Sequence, residues 1–518
     1  LMPATPEPSA APSLPTGRRL GRQIGRQGAL LFSGFAVVQI CSFARNALVG
    51  YWLSRGDFGV AATITIALQM LEQLSDLGAD RLLVQAKDGD DPRLMAAAHA
   101  TLLARGVLTA AILFLVAGPA AAFFAIPSAT SAFQLAAWVP LIKSLMHLDS
   151  RRQQRGLQNR NYLLIEVVPQ VHALLATVPL LYLTGDYRAV VWVAIMQAGL
   201  SVLTSHALSK RRYALGLEME FVRRLVAFGW PIWLSAFPLV LVYQGDRVIV
   251  GRMLGIEALA GYSAAFMVAM VPGLLAAKVG HALLLPLLST QRDNRQAFFD
   301  RYLTMYEGVS IAAAAYVVAF VIAGGAILPL AFGPQYQGLG PVLGWLAAMW
   351  SVRMVQAVPG IALMARGETS PLLIAGIIRA TALGPALLAV HMGLGLIGIA
   401  AAGVLGELAS AAYVIQRTTR DIPGLGRATI VRTLYPLLAA LMAAACMYFV
   451  PHATNAWIQL PFGFVLAVCA MLAGLAVMPR LRLFIDGELQ PLKVSAVRPT
   501  SPPPAPTTTE TTYAVQQA

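Results

Sequence analysis

Six basic residues stand inside long apolar runs of this sequence: Arg45, Lys143, Arg247, Lys278, Arg353 and Arg379, with Arg105 a seventh. A charge held at the middle of a bilayer costs at least about 2.5–3.5 kcal/mol on insertion scales, so such residues are functional candidates by default. Arginine presents a planar fork of donors that takes phosphate oxygens in pairs, and lysine adds a compact point charge. The chemistry this set supports is the binding of an anion. Four acids share the apolar setting: Glu166, Asp246, Glu307 and Glu407, with Asp149 near a helix end. A buried carboxyl group that takes up and releases a proton can couple a transport step to an ion gradient, which makes these four the ion-coupling candidates. The competing account of any of these charges is a structural ion pair, or, for an arginine, snorkelling to the interface. Lys143 has His147 one helical turn away and Lys278 has His281 at its next turn, so each pair could line a polar stripe.

Such charges need apolar helices to hold them. The chain has 518 residues, 58% hydrophobic and 12% charged. Soluble domains carry about 25% charged residues, so this composition belongs in a bilayer. A span of the hydrocarbon core takes about 20 apolar residues. On that measure fourteen spans are predicted, near 29–51, 57–77, 95–124, 129–149, 162–184, 187–208, 228–253, 261–288, 303–332, 339–364, 371–391, 395–416, 430–450 and 456–478. The fold class is therefore all-α and polytopic. Residues 1–27 read as a disordered basic segment with no cleavable signal, and 483–518 as a disordered Pro/Thr-rich tail. Between them lie 28–210, 211–420 and 421–482, two six-helix units and a terminal helix pair. The run Leu217–Val226 carries Arg223 and Arg224 among apolar residues and reads as an amphipathic helix on the membrane surface.

The loop charges test the span count. With the N-terminus in the cytoplasm, alternate loops should be rich in Lys and Arg. Of the 38 basic residues, 28 fall in the loops and termini predicted inside, 3 (Arg55, Arg188 and Arg252) outside, and 7 within spans. Both termini are then cytoplasmic. The net charge of +14 is explained by this topology, and scattering through short loops excludes a nucleic-acid surface. Three cysteines, Cys41, Cys446 and Cys469, sit in apolar stretches without metal-ligand spacing, so no metal and no cofactor is expected.

The chain also repeats itself. Val49-Gly50-Tyr51-Trp52-Leu53 and Phe58-Gly59-Val60-Ala61-Ala62 match Val250-Gly251-Arg252-Met253-Leu254 and Ala260-Gly261-Tyr262-Ser263-Ala264, with one residue of slip and six spans between. Repeats of this kind in transporters place the site between the halves. Arg45 and Arg247 fall at equivalent places, each late in the first helix of its half.

The stretches Phe228-Gly229-Trp230-Pro231, Gln244–Arg252, Leu254-Gly255 and Ala260–Ala265, with Arg45, Leu53–Gly59 and Asp76-Leu77-Gly78, resemble the lobe starts of oligosaccharide flippases of the Wzx/PST type. Those belong to the multidrug/oligosaccharidyl-lipid/polysaccharide exporter superfamily. The resemblance covers residues of about 20–480. It implies two helical lobes around a central cavity, alternating access, and a bacterial inner-membrane location. It further implies an undecaprenyl-diphosphate-linked oligosaccharide as the molecule moved from the cytoplasmic to the periplasmic leaflet, for O-antigen, capsule or exopolysaccharide synthesis. A polysaccharide polymerase or glycosyltransferases are the partners this implies. Under it, Arg45, Arg247, Lys143, Lys278, Arg353 and Arg379 become contacts to a diphosphate or acidic sugar, and Arg105 is expected to pack near Glu166.

No phosphate-binding Gly-Lys-Ser/Thr loop is present, so ATP is not the direct energy source. A membrane polymerase or ligase needs a large outer loop with catalytic residues, and every predicted outer loop is short. Two rivals share the superfamily: a lipid II flippase of peptidoglycan synthesis, and a multidrug or cation antiporter, which would favour acidic sites.

Overall fold

The computed structural model describes residues 18–156, 158–290, 294–420, 425–449, 456–478 and 480–481. They form α1 (Arg18–Trp52), α2 (Arg55–Leu74), α3 (Ala79–Gln85), α4 (Pro92–Phe123), α5 (Thr130–Ala136), α6 (Trp138–Lys143), α7 (Asp149–Arg155), α8 (Arg160–Thr184) and α9 (Arg188–Ala207). There follow α10 (Met219–Ile249), α11 (Ile256–Ser289), α12 (Arg295–Phe332), α13 (Gly340–Ala365), α14 (Ser370–Ala380), α15 (Leu383–His391), α16 (Gly395–Thr419), α17 (Leu425–Phe449) and α18 (Ala456–Val477). No strand occurs among the described residues. The Pro/Thr tail, 483–518, lies outside them. Helix α1 begins at Arg18, inside the segment expected to be without structure; its Arg, Gln and Leu are good helix formers.

Twelve helical stretches among the described residues are long and apolar enough to cross a membrane, or thirteen when α2 and α3, bent by 46°, count as one. The bend falls at Gly78, whose φ of 61° suits a residue without a side chain. The sequence predicts fourteen. The difference is the stretch 129–149, which breaks at Ala137 and ends its helix at Lys143. Ser131, Gln134, Lys143 and Ser144 interrupt its apolar run. It still lies antiparallel along α4. The Ile126 N–H donates to Ala121 O near one end of α4, Ser144 packs on Gly106, and the Leu148 N–H donates to His99 Nε2 near the other. A side chain at position 106 would overlap Ser144, so this close approach requires glycine.

Two groups of helices follow. In the first, α8 packs on α1 and α9, and α4 on α5 and α6. In the second, α13 packs on α11, α12 and α16. Trp350, Tyr262 and Phe266, all fully buried, pack in its core. The terminal pair α17 and α18 lies against α12. Glu307, fully buried on α12, takes Arg432 of α17 and the Leu481 N–H, which fastens that pair.

The groups meet along α2. At one end Arg55 donates to Glu257 O at 3.1 Å, Gln335 Nε2 donates to Gly50 O at 2.8 Å, and Phe58, Phe332 and Tyr336 pack edge to face. Midway, Gln244 Nε2 donates to Gln69 Oε1 at 2.9 Å. At the arginine-rich end Arg224 forks onto both oxygens of Asp88, at 2.6 and 2.8 Å. The α1–α2 and α10–α11 junctions correspond in the sequence repeat. The second junction opens with a π-helical turn, Val250–Leu254, and the one-residue slip follows it, between Leu254 and Ala260. The run Leu217–Val226 is no separate surface helix: α10 starts at Met219 and continues unbroken into its apolar part.

Asp149 holds the arginine-rich end of the first group. Its Oδ1 accepts from Arg152 Nε at 2.6 Å, and its Oδ2 accepts from Gln153 Nε2 at 2.8 Å and from the Lys210 N–H at 2.9 Å. Burial pushes this carboxyl group up, but Arg152, the Lys210 N–H and Gln153 together hold it down at about 2. A folded value below the unfolded one stabilises the fold above the unfolded value, and that contribution is lost as pH falls through about 2. It amounts to roughly 2 kcal/mol near neutral pH. Asp149→Asn is expected to lower the thermal midpoint at pH 7 and to make no difference near pH 2, checked by unfolding scans at both values.

Candidate functional site

Arg45 lies on α1, two turns before its end. Its NH1 donates to Gln197 Oε1 on α9 at 2.7 Å, and Gln197 Nε2 donates to Gln170 Oε1 on α8 at 2.6 Å. No carboxylate pairs with Arg45 among the described residues. One amide, Gln197, itself fixed by Gln170, solvates this guanidinium and leaves its charge uncompensated. Gln170 Nε2, at the far end of the chain, is buried without a partner.

The second group holds a denser network on α10, α11, α13, α14 and α16. Arg247 is 7% exposed. Its NH2 donates to Tyr243 O at 2.7 Å, and its guanidinium lies 4.6 Å from the Phe266 ring centre. The Asp246 carboxylate beside it is occupied otherwise, accepting from Tyr262 Oη and from the Arg247 N–H, each at 2.8 Å. Arg353 donates Nε to Glu407 Oε1 at 2.8 Å, also reaches that oxygen through NH2, and stacks over Trp350 and Tyr243. Arg379 places its Nε 2.8 Å from the same oxygen and donates NH2 to Gln356 Oε1 at 3.0 Å. Gln356 is fixed in turn by Ser410 at 2.7 Å. Three guanidiniums thus face two carboxylates, which leaves one positive charge in excess. Arg353 NH1 and Arg247 Nε are buried without hydrogen-bond partners, as is Glu407 Oε2.

The structure separates the sequence candidates. Arg353, Arg379 and Glu407 come together with Asp246 and Arg247. Lys143 instead pairs with Glu72 at 2.8 Å, and His147 lies beyond the end of its helix. Arg105 pairs with Asp76 at 3.1 Å, not with Glu166. Glu72 is not among the sequence candidates, and Asp76 stands there only within the stretch Asp76-Leu77-Gly78. Glu72 stands in the last turn of α2 and Asp76 two residues past its end at Leu74, and a helical pattern carried on to 76 would have set the two acids side by side. Glu72, Ser75, Arg105, Thr109, Lys143 and Ser144 line a cavity of about 30 Å³, room for a water. Glu307 is consumed by Arg432. Glu166 has no hydrogen bond or ion pair among the described residues. The Lys278 and His281 side chains lie outside the described residues. Arg45 and Arg247 are each held within their own helix group and share no partner.

The described residues thus form a helical membrane protein in two packed groups, with uncompensated arginines between apolar helices. The solved structure of the lipid II flippase MurJ in an inward closed conformation superimposes with a TM-score of 0.66 at 13% identity, covering 88% of this chain and all of that one. An inward-facing multidrug resistance MATE family transporter of the MOP superfamily gives a TM-score of 0.55 at 15% identity, covering 80% of this chain and 96% of that one. These likenesses establish the fold. Among curated proteins, no sequence matches. Residues 52–341 match the family model for polysaccharide biosynthesis proteins. The chain belongs to that family.

Proposed function

We propose that this protein flips an oligosaccharide linked to undecaprenyl diphosphate across the bacterial inner membrane, by alternating exposure of a cationic site between the lobes 28–210 and 211–420. The arginine-rich end and both termini are cytoplasmic in this reading, as the loop charges require. One observation carries it: Arg45 is a guanidinium inside the membrane with no carboxylate partner among the described residues, held by an amide alone. A charge kept uncompensated in that setting suits an anionic ligand, and a diphosphate offers paired oxygens to it. The excess positive charge of the Arg247–Arg353–Arg379 network supports the same ligand. An inside-negative potential favours outward movement of that anion by about 2.3 kcal/mol per charge per 100 mV. Of the four ion-coupling candidates, Glu166 is the one with no hydrogen bond or ion pair among the described residues, so it is the coupling group in this reading.

The test is flipping in proteoliposomes. A fluorescent undecaprenyl-diphosphate oligosaccharide is scored by enzymatic access from outside, for the wild type, Arg45→Ala and Arg247→Ala. Protein-dependent crossing that is lost in folded Arg45→Ala supports the proposal. Absence of crossing by the wild type under an imposed potential and pH gradient overturns it and turns attention to cation efflux.

A further inference from the structure

Two glycines let the backbones of the two helix groups close on each other. Gly59 stands near the start of α2. A β-carbon built on it would overlap Ile256 O and Cγ2, in the first turn of α11. Gly229 stands in α10. A β-carbon there would overlap Leu77 O, just past the end of α2, and come within 2.9 Å of Leu77 Cβ. Both contacts cross between the groups. Helix α2 is tied to the first group: Val60 and Ile64 pack in that group's core, Glu72 pairs with Lys143, and Asp76 pairs with Arg105. Helices α10 and α11 belong to the second.

The two contacts stand at opposite ends of the seam. From Gly59 to Leu77 the chain rises roughly 27 Å at about 1.5 Å per residue, against about 30 Å for a hydrocarbon core. The Arg55–Glu257 bond lies at the first end, and the Asp88–Arg224 fork marks the second. Gln69 and Gln244 bond between them. Neither glycine answers a local need. Both lie inside helices with ordinary negative φ, and after proline glycine is the poorest residue for a helix interior. What each supplies is the missing side chain. The atom opposite is a backbone carbonyl oxygen of the other group, which cannot swing aside as the tip of a long side chain can.

We propose that Gly59 and Gly229 are the positioning residues of the two closures of the transport cycle: Gly229 lets the cytoplasmic end shut, and Gly59 the periplasmic end. The inference rests on the alternating exposure proposed above and on the loop-charge topology, not on the molecule moved. A methyl group at either position overpacks one contact and leaves the other, at the far end of the seam, as it was. The lobes are packed bodies that shift between discrete arrangements, so forcing one end apart moves the population toward the state open at that end. Gly229→Ala therefore favours the state open to the cytoplasm. Gly59→Ala favours the state open to the periplasm. Each variant keeps the packing within its own lobe, so each should melt close to the wild type.

Thiol labelling of the full chain tests this. Gln244 is 2% exposed and lies between the two contacts, so Gln244→Cys places a reporter in the seam. Cys41, Cys446 and Cys469 are changed to serine to leave one thiol. A membrane-impermeant maleimide is applied to the periplasmic side in spheroplasts and to the cytoplasmic side in inverted vesicles. Gly229→Ala is expected to speed labelling about tenfold from the cytoplasmic side alone, and Gly59→Ala about tenfold from the periplasmic side alone. Either variant carries the test without the other, since each predicts its own side. The double variant should gain from both sides. Gly199 of α9 has open space where a β-carbon would stand, so Gly199→Ala reports the effect of a helical alanine by itself and should label like the parent. Parental labelling rates in the folded alanine variants, or a gain from the same side in both, would overturn the proposal. The flipping assay answers the other question: side-specific labelling with no flipping by the wild type keeps the two closures and removes the oligosaccharide.

Discussion

Glu407→Gln is expected to cost the fold about 3–5 kcal/mol, the range for breaking a buried ion pair from one side. Glu407 is fully buried, and a single oxygen of its carboxylate receives both Arg353 and Arg379. Glutamine keeps the shape and an acceptor but removes the charge. Two guanidiniums would then share a low-dielectric interior with only Asp246 near, and the Asp246 carboxylate is already bonded to Tyr262 and the Arg247 N–H. A further Arg379→Gln change in the same protein should recover part of the loss, because it returns the network to a single excess positive charge. The reverse order discriminates: Arg379→Gln alone leaves Glu407 with Arg353 and should be the milder single change. Thermal unfolding of the purified protein and its three variants measures this. If Glu407→Gln melts with the wild type, the network is not structural and its arginines are free for a ligand after all.

That network also marks where the sequence stopped being informative. Arg353, Arg379, Asp246 and Glu407 were all legible as charges in apolar runs, because an intramembrane charge stands out against its neighbours. Which of them cancel was not legible. Glu407 meets Arg353 across 54 residues of chain, and only the packing of α13 on α16 brings them together. The same applies to Lys143: a helical reading placed it beside His147, but the helix ends at Lys143 and Glu72 of α2 takes its charge. The long helices were written in hydropathy alone. The stretch 129–149 was not, since its polar residues are satisfied by tertiary partners. Ser144 lies against Gly106 and Leu148 bonds His99, and no local pattern encodes either. Gln197 and Gln170 passed unnoticed because amides carry no charge to flag them, although they decide that Arg45 stays unpaired.

Those two glutamines permit a sharper test of the transport proposal than removing the arginine. Gln197→Glu places a carboxylate where Arg45 NH1 now donates to an amide oxygen at 2.7 Å. The new acid's second oxygen would replace the Nε2 that donates to Gln170 Oε1 at 2.6 Å. Gln170 can answer by turning its amide over, which brings its own unpartnered Nε2 onto that oxygen. The turn puts Gln170 Oε1 where Nε2 now lacks a partner, so one unpartnered amide atom replaces another while Arg45 gains a charged partner, and the thermal midpoint should hold or rise. The charge of Arg45 is nevertheless spent. If Arg45 binds the diphosphate, the variant loses a charge-assisted contact of about 1.5–3 kcal/mol, or roughly 10–100-fold in flipping at limiting substrate. A structural role for Arg45 predicts the opposite, since a better-paired arginine would leave transport intact. Flipping at the wild-type rate in a protein of equal or higher midpoint would therefore remove Arg45 from the site, while loss of flipping with stability retained ties the uncompensated charge itself to the anion that crosses.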